Sequence, residues 1–275
     1  YLVESILVAA EHKVGVIGTV AFRFADKVYP STHTTPGTVE LQKLLAQMKA
    51  DGCTAVVMEV SSHALKQHRA DFIAFDAVAF TNLTPEHLDF HPDMEDYFRA
   101  KAQLFERLVD QSIHAGKRPF GAISEDDEYG RKLIEELRAN PRPEFWFATF
   151  GLSPKADISA KNLKVDLAGV QGEAGGVALR SPLTGKFNAQ NILGALAVGQ
   201  GLKLDSECIS QGIAALKVVP GRVERVPNKK GIHVLVDYAH KPDALEKVLR
   251  TLRDVRSGHR LITVFGCGGD RDRTK

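Results

Sequence analysis

The chain alternates short apolar runs with helical repeats in its first half, and this alternation restricts its fold more than any other feature. Residues 14–20, 54–60 and 76–83 are apolar runs, and residues 38–52 between the first two repeat their leucines at helical spacing. Strands that are apolar on both faces and alternate with helices form parallel sheets that helices cover on both sides. We therefore predict an α/β fold with a mostly parallel sheet flanked by helices.

The pattern changes after this alternation. Residues 156–183 form short alternating segments separated by glycines, which predicts a small antiparallel extension of the sheet. Two helices are predicted next, and residues 218–231, which are rich in charged residues and turn formers, read as a linker. We therefore predict that the first domain ends just inside this linker.

A single β-α-β pattern follows the linker. It consists of an apolar run at 232–239, a helix at 242–255 and a second apolar run that ends in glycines at 261–269. A unit of this size has too little core to fold alone. We predict one domain at residues 1–219 and the start of a second, Rossmann-like α/β domain at 220–275.

The composition excludes several classes of function. Among 275 residues, 36 Lys and Arg nearly balance 34 Asp and Glu, so no long-range field favours nucleic acid or an acidic membrane as partner. Three widely spaced cysteines argue against a disulfide framework and against a four-ligand zinc site. No apolar run approaches the roughly 20 residues that cross a bilayer. We predict a cytoplasmic protein without membrane insertion.

Lys101 lies on the apolar side of a helix that we predict at residues 95–109. On a helical wheel it falls within the stripe formed by residues such as Phe98, Ala102 and Phe105. Either the long stem covers apolar surface while the ammonium reaches water, or burial lowers the pKa and leaves a neutral, reactive amine. The sequence alone leaves both explanations open.

Two polar segments follow predicted strands, where open α/β sheets bind ligands. Glu59 ends one apolar run, and His87 and His91 follow another. The histidines have the spacing of a helical zinc pair, but Pro85 and the missing acidic partner argue against one. Glu59 and His87 would instead suit a hard cation. The alternatives are a carboxylate that caps the next helix and a histidine with a structural role.

The last apolar run leads into a glycine-rich, basic segment. Residues 266–275 would cradle a phosphate or carboxylate, because glycines permit close backbone approach and Arg271 and Arg273 supply charge. Asp237 ends the preceding apolar run, a position from which an acid often binds ribose hydroxyls. Each of these signals is weak by itself.

Seven motifs in this order give a far more specific signal than any one of them. They read TTPGTVELQ, MEVSSHALKQHR, FTNLTPEHLDFHPDMEDYFRAKAQLF, KFNAQN, PGRVE, VDYAHKPDAL and FGCGGDRD. Over nearly its whole length, the chain resembles the Mur ligase family. The EVSSHAL and DYAHKPDAL stretches favour the members that add the third amino acid of the peptidoglycan peptide.

The resemblance implies an ATP-dependent amide ligase of peptidoglycan synthesis. Such an enzyme adds diaminopimelate or lysine to UDP-MurNAc-L-Ala-D-Glu through an acyl phosphate, with ATP and Mg²⁺ as cofactors. The implied partners are the UDP-MurNAc-dipeptide and the amino acid, and the implied state is a cytoplasmic monomer.

The resemblance also implies roles for individual residues. The implied catalytic and magnesium-binding residues are Glu59, His87 and Lys101, the last as a carbamate. The implied substrate-binding residues are Thr34, Thr35, Ser61, Gln67, Arg69 and Arg271, and Arg271 would meet the carboxylate of the incoming amino acid. The implied nucleotide-binding residues are Asn191, Arg222 and Asp237.

Two parts of the family pattern lie outside the sequence. The phosphate loop would precede Tyr1, and the segment that selects the amino acid would follow Lys275. We therefore expect a fragment that lacks ligase activity by itself. The remaining alternatives are a related ligase of the folylpolyglutamate or cyanophycin synthetase type, and a non-catalytic nucleotide-binding scaffold.

Overall fold

A computed structural model describes residues 1–29, 33–240, 242–256, 258 and 260–266. Its helices are α1 (Leu2–Ala9), α2 (Thr38–Ala50), α3 (Ser62–Lys66), α4 (Met94–Ala102), α5 (Arg107–His114), α6 (Glu128–Ala139), α7 (Lys186–Gly201), α8 (Ser206–Ala215) and α9 (Pro242–Val255). Its strands are β1 (Val14–Ile17), β2 (Phe22–Phe24), β3 (Lys27–Tyr29), β4 (Ala55–Met58), β5 (Ala77–Phe80), β6 (Phe120–Ser124), β7 (Trp146–Gly151), β8 (Ile158–Asp166), β9 (Gly169–Ala174), β10 (Val177–Ser181), β11 (Glu224–Val226) and β12 (Val234–Val236).

The strands form three sheets. The first has the order β3-β2-β1-β4, and its β1 and β4 run parallel. The second has the order β10-β9-β8-β7-β6-β5 and is parallel from β5 to β8, then antiparallel through β9 and β10. The third pairs β11 with β12. The predicted parallel sheet and its antiparallel extension are confirmed.

Helices cover both faces of the six-stranded sheet. On one face, α7 is buried along almost its whole length and packs with α1 and α8 against the apolar side chains of the strands. On the other face, side chains of α4, α5 and α6 form a second apolar cluster. A third cluster lies between α2 and the four-stranded sheet. Burial on both faces explains why these strands are apolar throughout.

Close packing fixes α1 against α8. A Cβ atom on Gly212 would lie 2.4 Å from the Cα of Ile6, so only glycine allows this approach. The hydroxyl of Ser5 donates to the carbonyl of Gly212 at 2.6 Å. At the first turn of α1, Glu4 accepts two hydrogen bonds from Arg23 of β2, at 2.5 and 2.6 Å. These contacts hold α1 against α8 and against the four-stranded sheet.

The single helix predicted at 95–109 is wrong, because the structure divides it into α4 and α5. Residues 103–106 form a turn in which the amides of Leu104 and Phe105 bond to carbonyls three residues earlier. Arg107 closes the break by donating to the carbonyl of Leu65, to Gln103 and to Asp71. Tightening the turn in this way lets Phe105 remain fully buried.

The end of the described chain also differs from the prediction. Strand β12 pairs antiparallel with β11, which lies inside the predicted linker. Residues 260–266, predicted to begin a strand, carry none. The antiparallel pair β2 and β3 was not predicted, because Ala25, with φ 50°, makes its turn without a glycine.

Within the described residues, each helix is too short or too polar to cross a membrane.

Candidate active site at the ends of β4 and β5

Glu59 lies directly after β4 and is held by the end of β1. Its amide donates to the carbonyl of Ile17 at 2.9 Å. Its carboxylate accepts hydrogen bonds from the hydroxyl of Thr19 at 2.7 Å and from the amide of Thr19 at 3.3 Å. A Cβ atom on Gly18 would lie 3.0 Å from the carboxylate, so the backbone passes close to it. These contacts fix the orientation of the Glu59 side chain, which remains exposed at the surface.

Thr34 and Thr35 take different positions beside this carboxylate. The hydroxyl of Thr34 lies 3.0 Å from that of Thr19 and is half-exposed. Thr35 is 0% exposed. Its hydroxyl donates to the carbonyl of Glu59 at 2.8 Å and accepts from the amide of Ser61 at 3.1 Å. The structure thus turns the hydroxyl of Thr35 towards the backbone that carries Glu59.

Three further residues with an implied role in substrate binding surround α3. They are Ser61, Gln67 and Arg69. Ser61 caps this helix, and its hydroxyl accepts from the amide of Ala64 at 3.1 Å. Arg69 donates to the carbonyl of Thr35 at 3.2 Å and to the side chain of Gln67. These contacts join Thr35, Ser61, Gln67 and Arg69 into one patch next to Glu59. Arg271 lies outside the described residues.

His87 has an unusual backbone conformation. Its φ of 59° lies in the left-handed region, which non-glycine residues rarely adopt and which is frequent at functional sites. Its side chain is 42% exposed. The ring lies edge-on to Tyr97 with centroids 5.9 Å apart, and edge-on to His63 at 5.0 Å. The loop therefore presents the imidazole at the surface above α4.

Lys101 is half-buried near the end of α4. Burial lowers the pKa of its ammonium, and the carboxylates of Glu86 and Glu59 act in the opposite direction. Both carboxylates therefore lie within electrostatic range of the amine. Its Nζ is 5.9 Å from the ring centroid of Tyr97, the ring that also meets His87. The structure thus brings Glu59, His87 and Lys101 to one region.

The donor groups of this region fit magnesium better than zinc. No group of three His, Cys, Asp or Glu side chains that would hold a metal occurs in the part of the chain that the structure describes. Mg²⁺ differs from zinc in that it is usually held through one or two carboxylates, with water and substrate phosphates completing the coordination. The carboxylate of Glu59, in electrostatic range of Lys101, fits that chemistry.

The residues with implied nucleotide contacts lie in two places. Asp237 follows β12 and accepts hydrogen bonds from the amides of Val223 and Ala239, both at 2.8 Å. Arg222 is exposed beside it. Asn191 is exposed on α7, where its amide lies 3.5 Å from Asn188 of the same helix. The structure brings Arg222 and Asp237 together, while Asn191 lies apart from them on α7.

The two places are nevertheless connected through the start of α7. A Cβ atom on Gly185 would lie 2.7 Å from the Cγ2 of Thr251 on α9. The ammonium of Lys186 lies 3.8 Å from the carboxylate of Asp254, also on α9. The start of α7 therefore contacts α9.

Several residues of the site escaped the sequence analysis. Thr19 binds Glu59, and Tyr97 contacts both His87 and Lys101. Asp126 binds the amides of Leu152 and Ser153 and the side chain of Gln190 next to Asn191. Thr19 and Asp126 follow the apolar runs of β1 and β6, a position that would have singled them out.

Two family descriptions match most of the chain. Residues 1–199 match the Mur ligase middle domain, and residues 221–275 match the Mur ligase, glutamate ligase domain. The chain is 47% identical to the UDP-N-acetylmuramoyl-L-alanyl-D-glutamate–2,6-diaminopimelate ligase of Geobacter sulfurreducens, over 100% of this chain and 53% of that protein. It therefore spans about half the length of the curated relatives that it matches.

Solved structures agree with this match. A structure of a UDP-N-acetylmuramoyl-L-alanyl-D-glutamate–2,6-diaminopimelate ligase superposes with a TM-score of 0.80 at 31% identity, covering 99% of this chain and 54% of that one. Mycobacterium tuberculosis folylpolyglutamate synthase superposes with a TM-score of 0.64 at 16% identity, covering 92% of this chain and 62% of that one, which shows a shared fold alone. Since the middle-domain match alone covers residues 1–199 of 275, the chain belongs to the Mur ligase family.

Proposed function

We propose that this chain is the ATP-handling part of a ligase that adds diaminopimelate to UDP-MurNAc-L-Ala-D-Glu. The observation that carries the proposal is that Glu59, at the end of β4, lies within electrostatic range of the partly buried Lys101 on α4, in a chain 47% identical to a curated diaminopimelate ligase. The amino acid is taken from the names of the curated relatives, which agree on 2,6-diaminopimelate. The product would enter peptidoglycan synthesis in the cytoplasm, and the ligase would act as a monomer.

The reaction requires two displacements. The carboxylate of the D-Glu residue attacks the γ-phosphorus of ATP, and ADP leaves with the electrons of the broken P–O bond. The amine of diaminopimelate then attacks the acyl phosphate, loses a proton and expels inorganic phosphate. Both steps gather negative charge, so positioning and charge neutralisation supply most of the rate. Bound Mg²⁺ would supply part of that neutralisation.

Glu59 and His87 would hold the metal, and the hydrogen bonds from Thr19 would orient the carboxylate of Glu59 towards it. A magnesium ion needs few protein ligands when phosphate oxygens and water fill its other positions. The exposed imidazole of His87 is accessible to such a complex.

Lys101 would act as a carbamate. Its lowered pKa favours the neutral amine, whose nitrogen attacks the carbon of CO₂ and releases one proton to give an anionic carbamate. The new oxygens would serve as further ligands for a hard cation.

The patch around α3 would bind the UDP-MurNAc-dipeptide. Thr34, Ser61, Gln67 and Arg69 offer hydroxyl, amide and guanidinium groups at the end of β4, while Thr35 holds the loop from beneath. Arg271 would bind the carboxylate of the incoming amino acid. Asn191, Arg222 and Asp237 would contact the adenine, phosphate and ribose of ATP.

A chimaeric ligase tests the proposal, in which this chain replaces the matching 53% of the Geobacter sulfurreducens ligase. We expect ADP release that requires both the UDP-MurNAc-dipeptide and diaminopimelate. Glu59→Gln and Lys101→Met should each lower kcat on the order of 100-fold or more, as losing a group that stabilises transition-state charge does. Glu40→Gln, an exposed acid on α2, is the control and should leave kcat unchanged.

Three outcomes would contradict the proposal. Turnover with lysine in place of diaminopimelate would change the amino acid assigned. Turnover with a folate and glutamate would identify a folylpolyglutamate-type ligase. Absence of turnover with all of these, from a chimaera that folds and binds ATP, would identify a non-catalytic scaffold.

A further inference from the structure

A chain of four polar side chains, two of them buried, lies next to the candidate site. The imidazole of His91 is 0% exposed and the side chain of Ser62 is 1% exposed. His91 Nε2 lies 2.9 Å from the hydroxyl of Ser62, and Nδ1 lies 2.6 Å from a carboxylate oxygen of Asp96. Lys66 lies 2.7 Å from both carboxylate oxygens of Asp96. We call Ser62, Lys66, His91 and Asp96 the His91 network.

The hydrogen bonds of the network have a definite direction. Lys66, and secondly His91, keep the pKa of the Asp96 carboxyl below its ordinary value, so Asp96 is ionised at neutral pH and accepts. Nδ1 of His91 therefore carries a proton and donates to Asp96. In the neutral ring Nε2 is then an acceptor for the hydroxyl of Ser62. Every polar atom of the buried imidazole is thus satisfied.

The network touches each element that carries a proposed catalytic group. Ser62 begins α3, three residues after Glu59. The amide of His91 donates to the carbonyl of His87 at 2.8 Å. Asp96 is in α4, five residues before Lys101. The His91 ring also stacks on Tyr97, with centroids 4.9 Å apart, and Tyr97 contacts both His87 and Lys101.

Ser62, His91 and Asp96 are of the same residue types as a serine hydrolase triad, but burial excludes that role. A nucleophilic serine must reach a substrate carbonyl, whereas Ser62, the first residue of α3, is 1% exposed. A satisfied buried network of this kind fixes elements relative to each other instead.

We propose that His91 is a positioning residue, whose bonds to Ser62 and Asp96 set the relative positions of Glu59, His87 and Lys101. The chemical meaning of this positioning rests on the proposed function. The imidazole acts from below the site and contacts no substrate. Its two bonds tie the start of α3 to the start of α4, so losing either one lets the strand-end loops and α4 move apart.

Two substitutions and one matched control test the proposal. Ser62→Ala removes one bond with little change in volume, and His91→Gln removes the imidazole that bonds to both Ser62 and Asp96. Ser112→Ala is the control, because Ser112 is also fully buried, donates to Leu108 at 2.7 Å and accepts from Phe75 at 2.8 Å. All three variants lose buried hydrogen bonds, but only the first two belong to the network.

The first measurement is NMR of this chain with labelled lysine and histidine side chains. We expect the signals of Lys101 and His87 to shift in Ser62→Ala and in His91→Gln, and to stay in place in Ser112→Ala. Unmoved signals in both network variants would overturn the proposal, and this result does not depend on catalysis.

The second measurement is the kinetics of the chimaeric ligase. We expect kcat to fall on the order of 10–100-fold in the network variants, the usual cost of losing groups that orient metal ligands. KM for ATP should stay near its original value, because Asp237 and Asn191 lie outside the network. A kcat equal to that of Ser112→Ala would overturn the proposal. If the NMR signals of this chain shift as expected but the chimaera shows no ligase activity, the positioning role of His91 stands and the proposed function is refuted.

Discussion

The hydroxyl of Thr19 donates a 2.7 Å hydrogen bond to the carboxylate of Glu59. The two residues are 40 positions apart in the sequence and meet because β1 and β4 are parallel neighbours whose carboxyl ends coincide. The amide of Thr19 adds a second bond to the same oxygen at 3.3 Å. Thr19, after the end of β1, therefore orients the carboxylate of Glu59, after the end of β4.

We predict that Thr19→Val weakens Mg²⁺ activation of the chimaeric ligase. Without the hydroxyl, Glu59 retains only the longer bond to the amide, and losing a group that orients a metal ligand costs on the order of 10-fold in metal affinity. The measurement is the Mg²⁺ concentration that gives half-maximal rate. Thr54→Val is the control, because Thr54 is also exposed and hydrogen-bonded, to Lys13 and His12, away from the site. Equal Mg²⁺ requirements in both variants would contradict the prediction.

We predict that Lys101 makes folding stability rise with pH in CO₂-free buffer. Burial lowers the pKa of its ammonium in the folded chain below the ordinary 10.5. Between the lowered and the ordinary pKa the unfolded chain binds more protons, so the free energy of unfolding increases as pH rises through this window. The penalty of the buried cation is greatest below the lowered pKa.

The measurement is urea denaturation of the chain at several pH values from neutral to alkaline. The stability gained by Lys101→Met should be largest at neutral pH and shrink as pH rises. Lys49→Met, at an exposed position of α2, is the control and should give a difference that does not vary in this way. A pH-independent gain from Lys101→Met would show that the ammonium reaches water in the folded chain.

We predict that Asp126→Ala lowers the stability of the chain and weakens ATP binding. The carboxylate accepts from the amides of Leu152 and Ser153 at 2.7 and 2.9 Å, and from the side chain of Gln190 at 2.8 Å. Hydrogen bonds to a charged group contribute about 1.5–3 kcal/mol, so we expect a loss of about 2–3 kcal/mol in the free energy of unfolding. KM for ATP should rise, because Gln190 precedes Asn191 on α7.

The matched control is Asp166→Ala, where a partly exposed carboxylate accepts from the amide of Ala168 at 2.7 Å in the turn after β8. This variant should lose less than about 1 kcal/mol and leave KM for ATP unchanged. If KM for ATP is also unchanged in Asp126→Ala, the hydrogen bonds of Asp126 do not affect ATP binding and the prediction is wrong.

Sequence periodicity predicted the fold where burial is complete. Strand β6 is buried at every position, and its apolar residues gave a clear signal. The helical pattern at 95–109 was misleading, because Phe98 in α4 and Phe105 in the turn after α4 are both fully buried. The spacing of apolar residues predicts which side chains are buried. The turn at 103–106 depends instead on hydrogen bonds from Arg107 to Asp71 and Leu65, which are distant in sequence.

The candidate site shows the same division between local and long-range information. Family motifs single out Glu59, His87 and Lys101, and the structure brings these three to one region. The roles of Tyr97 and His91 depend on contacts between a loop and two helices, which no local pattern encodes. His91 was the histidine left without an assignment, and its burial is what identifies it.

Strands β4 and β5 belong to different sheets, so the candidate site crosses a seam. Glu59 extends from the four-stranded sheet, while His87 and Lys101 follow the six-stranded one. A slight shear between the two sheets would therefore separate the acid from the amine without unfolding either sheet. Contacts that hold the two sheets together, such as the contact of α3 with α4, therefore also keep the carboxylate of Glu59 near the amine of Lys101.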